Sequence, residues 1–233
     1  MKRVFWILLL SVLLIGCGQT PATEATEPTT VPETIPQTTA TEADVVEERA
    51  YPDPQDMVFV AVADYLPQVR MDLKYATEDN FTGQTVYEFT TVYLRYGTLR
   101  KLAAVQADLE ELGLGLKIWD AFRPVSAQYK LWEICPDIRY VANPNTGFSD
   151  HSRGNTVDVT LVDSQGREVV MPTGFDDFSK KADRDYSDCS QEAADNALIL
   201  QVLMEKHGFS GYKNEWWHFT DQEEYPVEAT FLS

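Results

Sequence analysis

Ser149-Asp150-His151-Ser152-Arg153-Gly154-Asn155-Thr156-Val157-Asp158, followed much later by Glu215-Trp216-Trp217-His218, decides how this chain is read. Only three histidines are present, and two of them fall in these two stretches. Two imidazoles, His151 and His218, and one carboxylate, Asp158, make three zinc ligands and leave a fourth tetrahedral position for water. Glu215, three residues before the last histidine, is then the general base that takes that water's proton. The pattern reads as a hydrolase holding one Zn2+ per chain. The third histidine, His207, lies near an expected helix C-terminus, where an imidazolium suits the dipole, and reads as structural.

Outward from these stretches the elements follow from periodicity. Thr156 to Val162 alternates as a strand, with Val157, Val159 and Leu161 on one side and Thr156, Asp158 and Thr160 on the other. Upstream, Leu116 to Trp119 reads as a strand leading into Asp120-Ala121-Phe122-Arg123-Pro124, and Pro124 fits the first turn of a helix running to about Ile134. Thr98 is expected to cap a helix over Leu99 to Leu112, with Leu99, Leu102, Gln106, Leu109 and Leu112 on one face and Gly113 ending it. Met57 to Tyr75 holds short β-leaning runs broken at Pro67, and Ala76 to Gly83 is polar and turn-like.

Downstream, Asp188-Cys189-Ser190-Gln191 starts a helix on which Ala194, Leu198 and Val202 recur at helical spacing, until Gly208 stops it. Phe209 to Thr220 reads as a terminal strand. In a regular strand Glu215 and His218 would face opposite sides, so the segment from Asn214 to His218 must bend or bulge. The expected fold is a single α+β domain, a small antiparallel-rich sheet flanked by helices.

The ends of the chain say something different. Met1-Lys2-Arg3, an apolar run of 12 residues from Val4 to Ile15, and Gly16-Cys17 form a signal-peptide pattern too short for a comfortable membrane span. Leu14-Ile15-Gly16-Cys17 resembles the bacterial lipobox, which implies cleavage after residue 16 and a lipid on Cys17; an ordinary signal peptide with a chance cysteine is the plainer alternative. Residues 17–55 are rich in Thr, Pro and Glu with almost no large apolar side chains, and read as a disordered tether. Residues 56–233 are then the folded domain, long enough for a sizeable core.

The formal charge is −18, or −20 once Lys2 and Arg3 leave with the signal, which argues against nucleic acid and anionic lipid headgroups as partners. Membrane contact is expected only through the lipid anchor, outside the cytoplasm. Cys135 and Cys189 could pair as a disulfide or remain thiols.

Ser149-x-His151-x-x-Gly154-x-x-x-Asp158 and Glu215-x-x-His218 resemble the zinc D-Ala-D-Ala peptidases. The dipeptidase branch known from vancomycin resistance is matched further, and in its order. Its signatures are Asp72-Leu73-Lys74-Tyr75-Ala76-Thr77, Asn80-Phe81-Thr82-Gly83, Asp120-Ala121-Phe122-Arg123-Pro124, Ser152-Arg153-Gly154, Thr173-Gly174-Phe175-Asp176 and Glu215-Trp216-Trp217-His218-Phe219. The resemblance implies His151, Asp158 and His218 as zinc ligands and Glu215 as catalytic base. It implies that Arg123 stabilises the oxyanion, where otherwise it would be an ion-pairing residue beside a helix start. Ser149, Tyr75 and Asp176 would fix the substrate's ends, Asp176 suiting a free ammonium; each could instead serve a local turn.

The expected activity is hydrolysis of D-alanyl-D-alanine or a related dipeptide, with peptidoglycan fragments as further partners. The resistance enzymes work in the cytoplasm, whereas this chain carries an export signal. Three other readings remain open. A D,D-carboxypeptidase would trim peptidoglycan stem peptides. A ferrous oxygenase would use the same facial triad but leave Glu215 and Arg123 without a task. A non-catalytic wall-binding lipoprotein would need no base at all.

Overall fold

The computed structural model of the chain describes residues 54–229. The signal, Cys17 and nearly all of the tether lie outside the described residues. The elements in chain order are β1 (Phe59–Ala61), α1 (Val62–Tyr65), β2 (Arg70–Met71), β3 (Tyr93–Arg95), α2 (Tyr96–Glu111), β4 (Leu114–Asp120), α3 (Val125–Ile134), β5 (Thr156–Asp163), α4 (Gln191–Lys206), β6 (Phe209–Gly211) and β7 (His218–Asp221). Short 3-10 turns stand at Lys74–Ala76, Asp150–Arg153 and Lys180–Ala182. The α+β expectation holds.

The main sheet has the order β2-β4-β5-β7-β6, antiparallel in every pairing except β2 with β4, and β1 pairs with β3 in a separate two-stranded ladder. Helices α2 and α4 contact each other and the sheet. Their core side chains, Leu102, Val105, Leu109, Leu200 and Met204, are fully buried in one cluster with Val157, Val159 and Leu161 of β5. Each such side chain contributes about 1.5–3 kcal/mol on leaving water. Both faces of β5 are covered, so its polar side chains Thr156, Asp158 and Thr160 are buried as well.

Three sequence expectations need correction. Thr98 is not the helix cap, because α2 begins at Tyr96, three residues earlier than expected, with Arg95 at the cap position. The Tyr96 and Gly97 amides donate to the carbonyls of Val58 and Asp56, and the Thr98 hydroxyl donates instead to the buried carboxylate of Asp221 at 2.8 Å. Leu112 leaves the core face and is 58% exposed, because α2 ends at Glu111 and the chain turns away there.

On α4 the buried stripe is Ala193, Ala197, Leu200 and Met204, while Leu198 and Val202 are about half exposed. The helical period holds, but the buried stripe pairs two alanines with Leu200 and Met204, which leaves Leu198 and Val202 at the surface. Its predicted start is borne out: Ser190 caps it by accepting from the Ala193 amide. The early β-leaning run also contains one helical turn, Val62–Tyr65. Cys135 and Cys189 are free, half-buried thiols.

Candidate active site

The sheet register sets the site. Across β5 and β7, Asp158 stands directly opposite His218, and across β4 and β5 it stands opposite Asp120. Directly paired residues bring their Cβ atoms to about 4.5–5.5 Å. A register shift between Ile118 and Asp120 marks a bulge at Trp119, the kind of irregularity that re-aims a strand-end side chain. His151 arrives from the 3-10 turn Asp150–Arg153. That turn ends on Gly154 at φ +75°, where an added Cβ would lie 2.2 Å from the Phe59 ring. Only glycine suits both the left-handed backbone and that contact.

His151 is buried, and its Nδ1 lies 2.7 Å from the Ala121 carbonyl oxygen. A carbonyl only accepts, so Nδ1 carries the hydrogen and the Nε2 lone pair faces Asp158 Oδ2 at 3.4 Å. His218 presents Nδ1 to Asp158 Oδ1 at 3.0 Å. The three donor atoms lie within 4.8 Å of one another, among the described residues the group of His, Cys, Asp and Glu side chains that could hold a metal ion. Two nitrogens and one carboxylate oxygen, with one tautomer fixed from behind, suit a divalent metal such as zinc.

The electrostatics agree with that use. Burial works against charge on His151, but the carboxylates of Asp158 and Asp120 outweigh it and push its pKa up. Burial opposes the Asp158 carboxylate too, yet the two imidazoles hold it well below the usual carboxylate range. Surroundings that favour an added proton also favour a cation.

Glu215 reaches the same place because the strand expected over Phe209 to Thr220 is in fact a hairpin, β6 and β7, interrupted over 212–217. The Tyr212 amide donates to the His218 carbonyl and the Glu215 amide to the Tyr212 carbonyl, closing an irregular loop. Glu215 Oε2 then lies 3.8 Å from His218 Nδ1. Burial pushes its carboxyl up, with His218 pulling the other way. A raised carboxylate is better matched to taking a proton near neutrality.

Arg123 sits between β4 and α3, its guanidinium fixed on three sides. Nη2 donates to Asp120 Oδ2 at 2.6 Å, Nη1 to Gln128 Oε1 at 3.0 Å and Nε to the Tyr87 hydroxyl at 3.2 Å, while the Tyr75 ring lies 5.0 Å away. Asp120 also accepts from Tyr87 at 2.7 Å. The roles of Tyr87, Gln128 and Asp120 in holding this guanidinium were not legible in the sequence. Tyr87 lies in an irregular segment and carried no signal; Gln128, in the first turns of the helix after Arg123, could have been suspected.

Tyr75 donates to Asp176 Oδ2 at 2.8 Å. Asp176 adopts φ +54°, and burial raises its carboxyl well above the ordinary range even though the Tyr75 hydrogen bond opposes this. Ser149 precedes the His151 turn, and its hydroxyl does not cap that turn. One cleft of about 270 Å³ is lined by every candidate catalytic, metal-ligating and substrate-binding residue read from the sequence: Tyr75, Arg123, Ser149, His151, Asp158, Asp176, Glu215 and His218. Its rim includes the exposed side chains of Ile138, Arg139, Tyr140 and Phe148. Sites for drug-sized ligands run to roughly 300–1,000 Å³, so this one suits a small substrate.

A family model described as D-Ala-D-Ala dipeptidase matches residues 55–233. The chain belongs to that family. It is therefore a hydrolase of a metallopeptidase family. A D-alanyl-D-alanine dipeptidase of Escherichia coli K12 is 36% identical over 179 residues, covering 77% of this chain and 89% of the relative. One from Enterococcus faecalis V583 is 33% identical, covering 75% and 96%, and one from Streptomyces coelicolor is 34% identical, covering 71% and 92%. The matched span contains every cleft residue named above.

Proposed function

We propose that this chain is a zinc-dependent dipeptidase that hydrolyses D-alanyl-D-alanine or a closely related dipeptide outside the cytoplasm. The observation that carries the reading is one small cleft holding the His151–Asp158–His218 donor set, Glu215, the fixed Arg123 guanidinium and the Asp176 carboxylate. His151, Asp158 and His218 would hold the zinc, which would supply Lewis acidity for the scissile carbonyl and the attacking water. Glu215 takes the proton of the attacking water and returns it to the leaving amine. The guanidinium of Arg123, already held by Asp120, Gln128 and Tyr87, faces the oxygen on which negative charge develops.

Asp176 receives the substrate's ammonium, which restores its carboxylate form against the cost of burial, and Tyr75 keeps it in place. Ser149 offers a hydroxyl to the other end. The relatives named above are D-alanyl-D-alanine dipeptidases, which fits a site closed around both charged ends of a dipeptide. The lipobox reading of Leu14 to Cys17 supports an export route and a lipid anchor, and peptidoglycan fragments would then be the nearby source of substrate.

Blocking the substrate's amine tests the reading. N-acetyl-D-Ala-D-Ala removes a charge-assisted hydrogen bond and leaves Asp176 without its cation, a loss of about 1–3 kcal/mol or more. It should be cleaved far more slowly than D-Ala-D-Ala, and Asp176→Asn should narrow the gap by crippling the free dipeptide. Comparable kcat/KM for the two substrates would describe an open-ended groove and move the chain to the D,D-carboxypeptidases.

A further inference from the structure

Arg184 stands outside the catalytic cleft, yet its guanidinium is spent on the loop that carries Glu215 and His218. Nε donates to the Tyr212 carbonyl at 2.9 Å, and Nη2 donates to the Trp216 carbonyl at 3.1 Å and the His218 carbonyl at 2.9 Å. The plane of the group packs over Phe219, with Cζ 4.3 Å from the ring centroid, and Phe219 is fully buried. The neighbouring backbone repeats the attachment. The Arg184 amide donates to the Lys213 carbonyl, and the Trp216 amide donates to the Ala182 carbonyl. Residues 182–184 therefore bond to the loop at 212, 213, 216 and 218, on both sides of Glu215.

Irregular loops are ordinarily held loosely, because their carbonyls find no ladder partner. Here one cation gathers three of them. A planar guanidinium can meet several acceptors in one fixed geometry, whereas a lysine ammonium acts as a compact point charge and cannot span them.

We infer that Arg184 is a positioning residue for the reaction, a clamp whose guanidinium sets the 212–218 loop so that Glu215 and His218 meet at one point. The inference rests on the dipeptidase reading, since it assigns Glu215 the proton transfer. Gly211 gives the clamp a second, independent handle. An added Cβ there would lie 2.3 Å from Arg184 Cζ and 2.5 Å from Nη2. Those atoms belong to the far end of a flexible side chain, so Gly211→Ala displaces the guanidinium while the strand itself can stay.

The test compares Arg184→Lys, Gly211→Ala and the double variant, with kcat, KM, unfolding midpoint and zinc affinity measured on each. At saturating zinc, kcat should fall about 10–100-fold in each single variant, as for other groups that orient ligands and bases from behind. KM should stay near wild type, and the unfolding midpoint, which the lost hydrogen bonds lower, shows that each variant is folded where kcat is read. The double variant should be no worse than Arg184→Lys, because both changes remove the same contact. Competition with a chromogenic chelator reads the His218 end: zinc binding should weaken in both single variants, and unchanged binding overturns the His218 half of the inference.

Wild-type kcat in folded Arg184→Lys or Gly211→Ala overturns the inference, as do losses that multiply in the double variant. If Arg184→Lys does not fold, Gly211→Ala decides alone. Glu215→Gln is run beside them. Full turnover in that variant defeats the mechanism, whereas an inactive Glu215→Gln with fully active Arg184→Lys and Gly211→Ala defeats only the clamp.

Discussion

Asp120 accepts from the Tyr87 hydroxyl, the Ala121 amide and Arg123 Nη2, and its carboxylate lies 3.6 Å from His151 Nδ1. One fully buried carboxylate thus holds the cation of the site and backs one of its imidazoles. Removing one partner of a buried charge pair typically costs about 3–5 kcal/mol, so Asp120→Ala should lower the unfolding free energy by that order. Tyr87→Phe keeps the charge pair and removes only its hydrogen bonds to Asp120 and Arg123, and should cost about 1.5–3 kcal/mol. Chemical denaturation of both variants checks the ranking, and a larger loss for Tyr87→Phe would contradict it.

At this scale the chemistry-bearing residues were legible because their spacing in short stretches is itself informative. Asp158 alternates with valines, and Glu215 precedes His218 by three. Tyr87 was not legible. It reaches Asp120 and Arg123 only through tertiary folding, from a segment with no period of its own.

Element existence followed from pattern, and element faces did not always follow. On α4, Leu198 and Val202 carry the stronger hydrophobic signal, yet Ala193, Ala197, Leu200 and Met204 make the buried stripe. Leu200→Ala should therefore cost about 2–5 kcal/mol, while Leu198→Ala should stay within about 0.5 kcal/mol of wild type. Equal losses in thermal or denaturant unfolding would restore the face expected from sequence.

Near the C-terminus of α4, Asp108 of α2 accepts from Lys206 and His207, both at 2.6 Å. Lys206 first, then His207, hold its carboxyl below the ordinary value. A depressed folded pKa contributes stability above the unfolded pKa of about 3.9, and that contribution is lost as pH falls through the folded value. The stability difference between wild type and Asp108→Asn should thus be present at pH 7 and shrink below about pH 4. A difference growing towards acid would reverse the assignment. The bend before His218 was legible as a geometric necessity, since two residues three apart cannot share one face of a regular strand. The hairpin and its tie to Arg184 were not, because both are long-range arrangements.

For the whole molecule, the described residues make one α+β domain in which no helix is long and apolar enough to cross a membrane. The proposed anchor belongs to the N-terminal sequence instead. Metabolic labelling with a fatty-acid analogue should mark the wild type and miss Cys17→Ala, and an unmarked wild type would remove the lipid from the account. The central claim concerns the cleft: His151, Asp158 and His218 hold zinc, and Glu215 moves the proton. Zinc content and kcat on D-Ala-D-Ala, measured together on wild type and Glu215→Gln, test it most directly. The account predicts one zinc per chain in both proteins and a kcat about 10²–10⁴-fold lower in the variant. Stoichiometric iron in place of zinc, or near-normal turnover by the zinc-loaded variant, would contradict it.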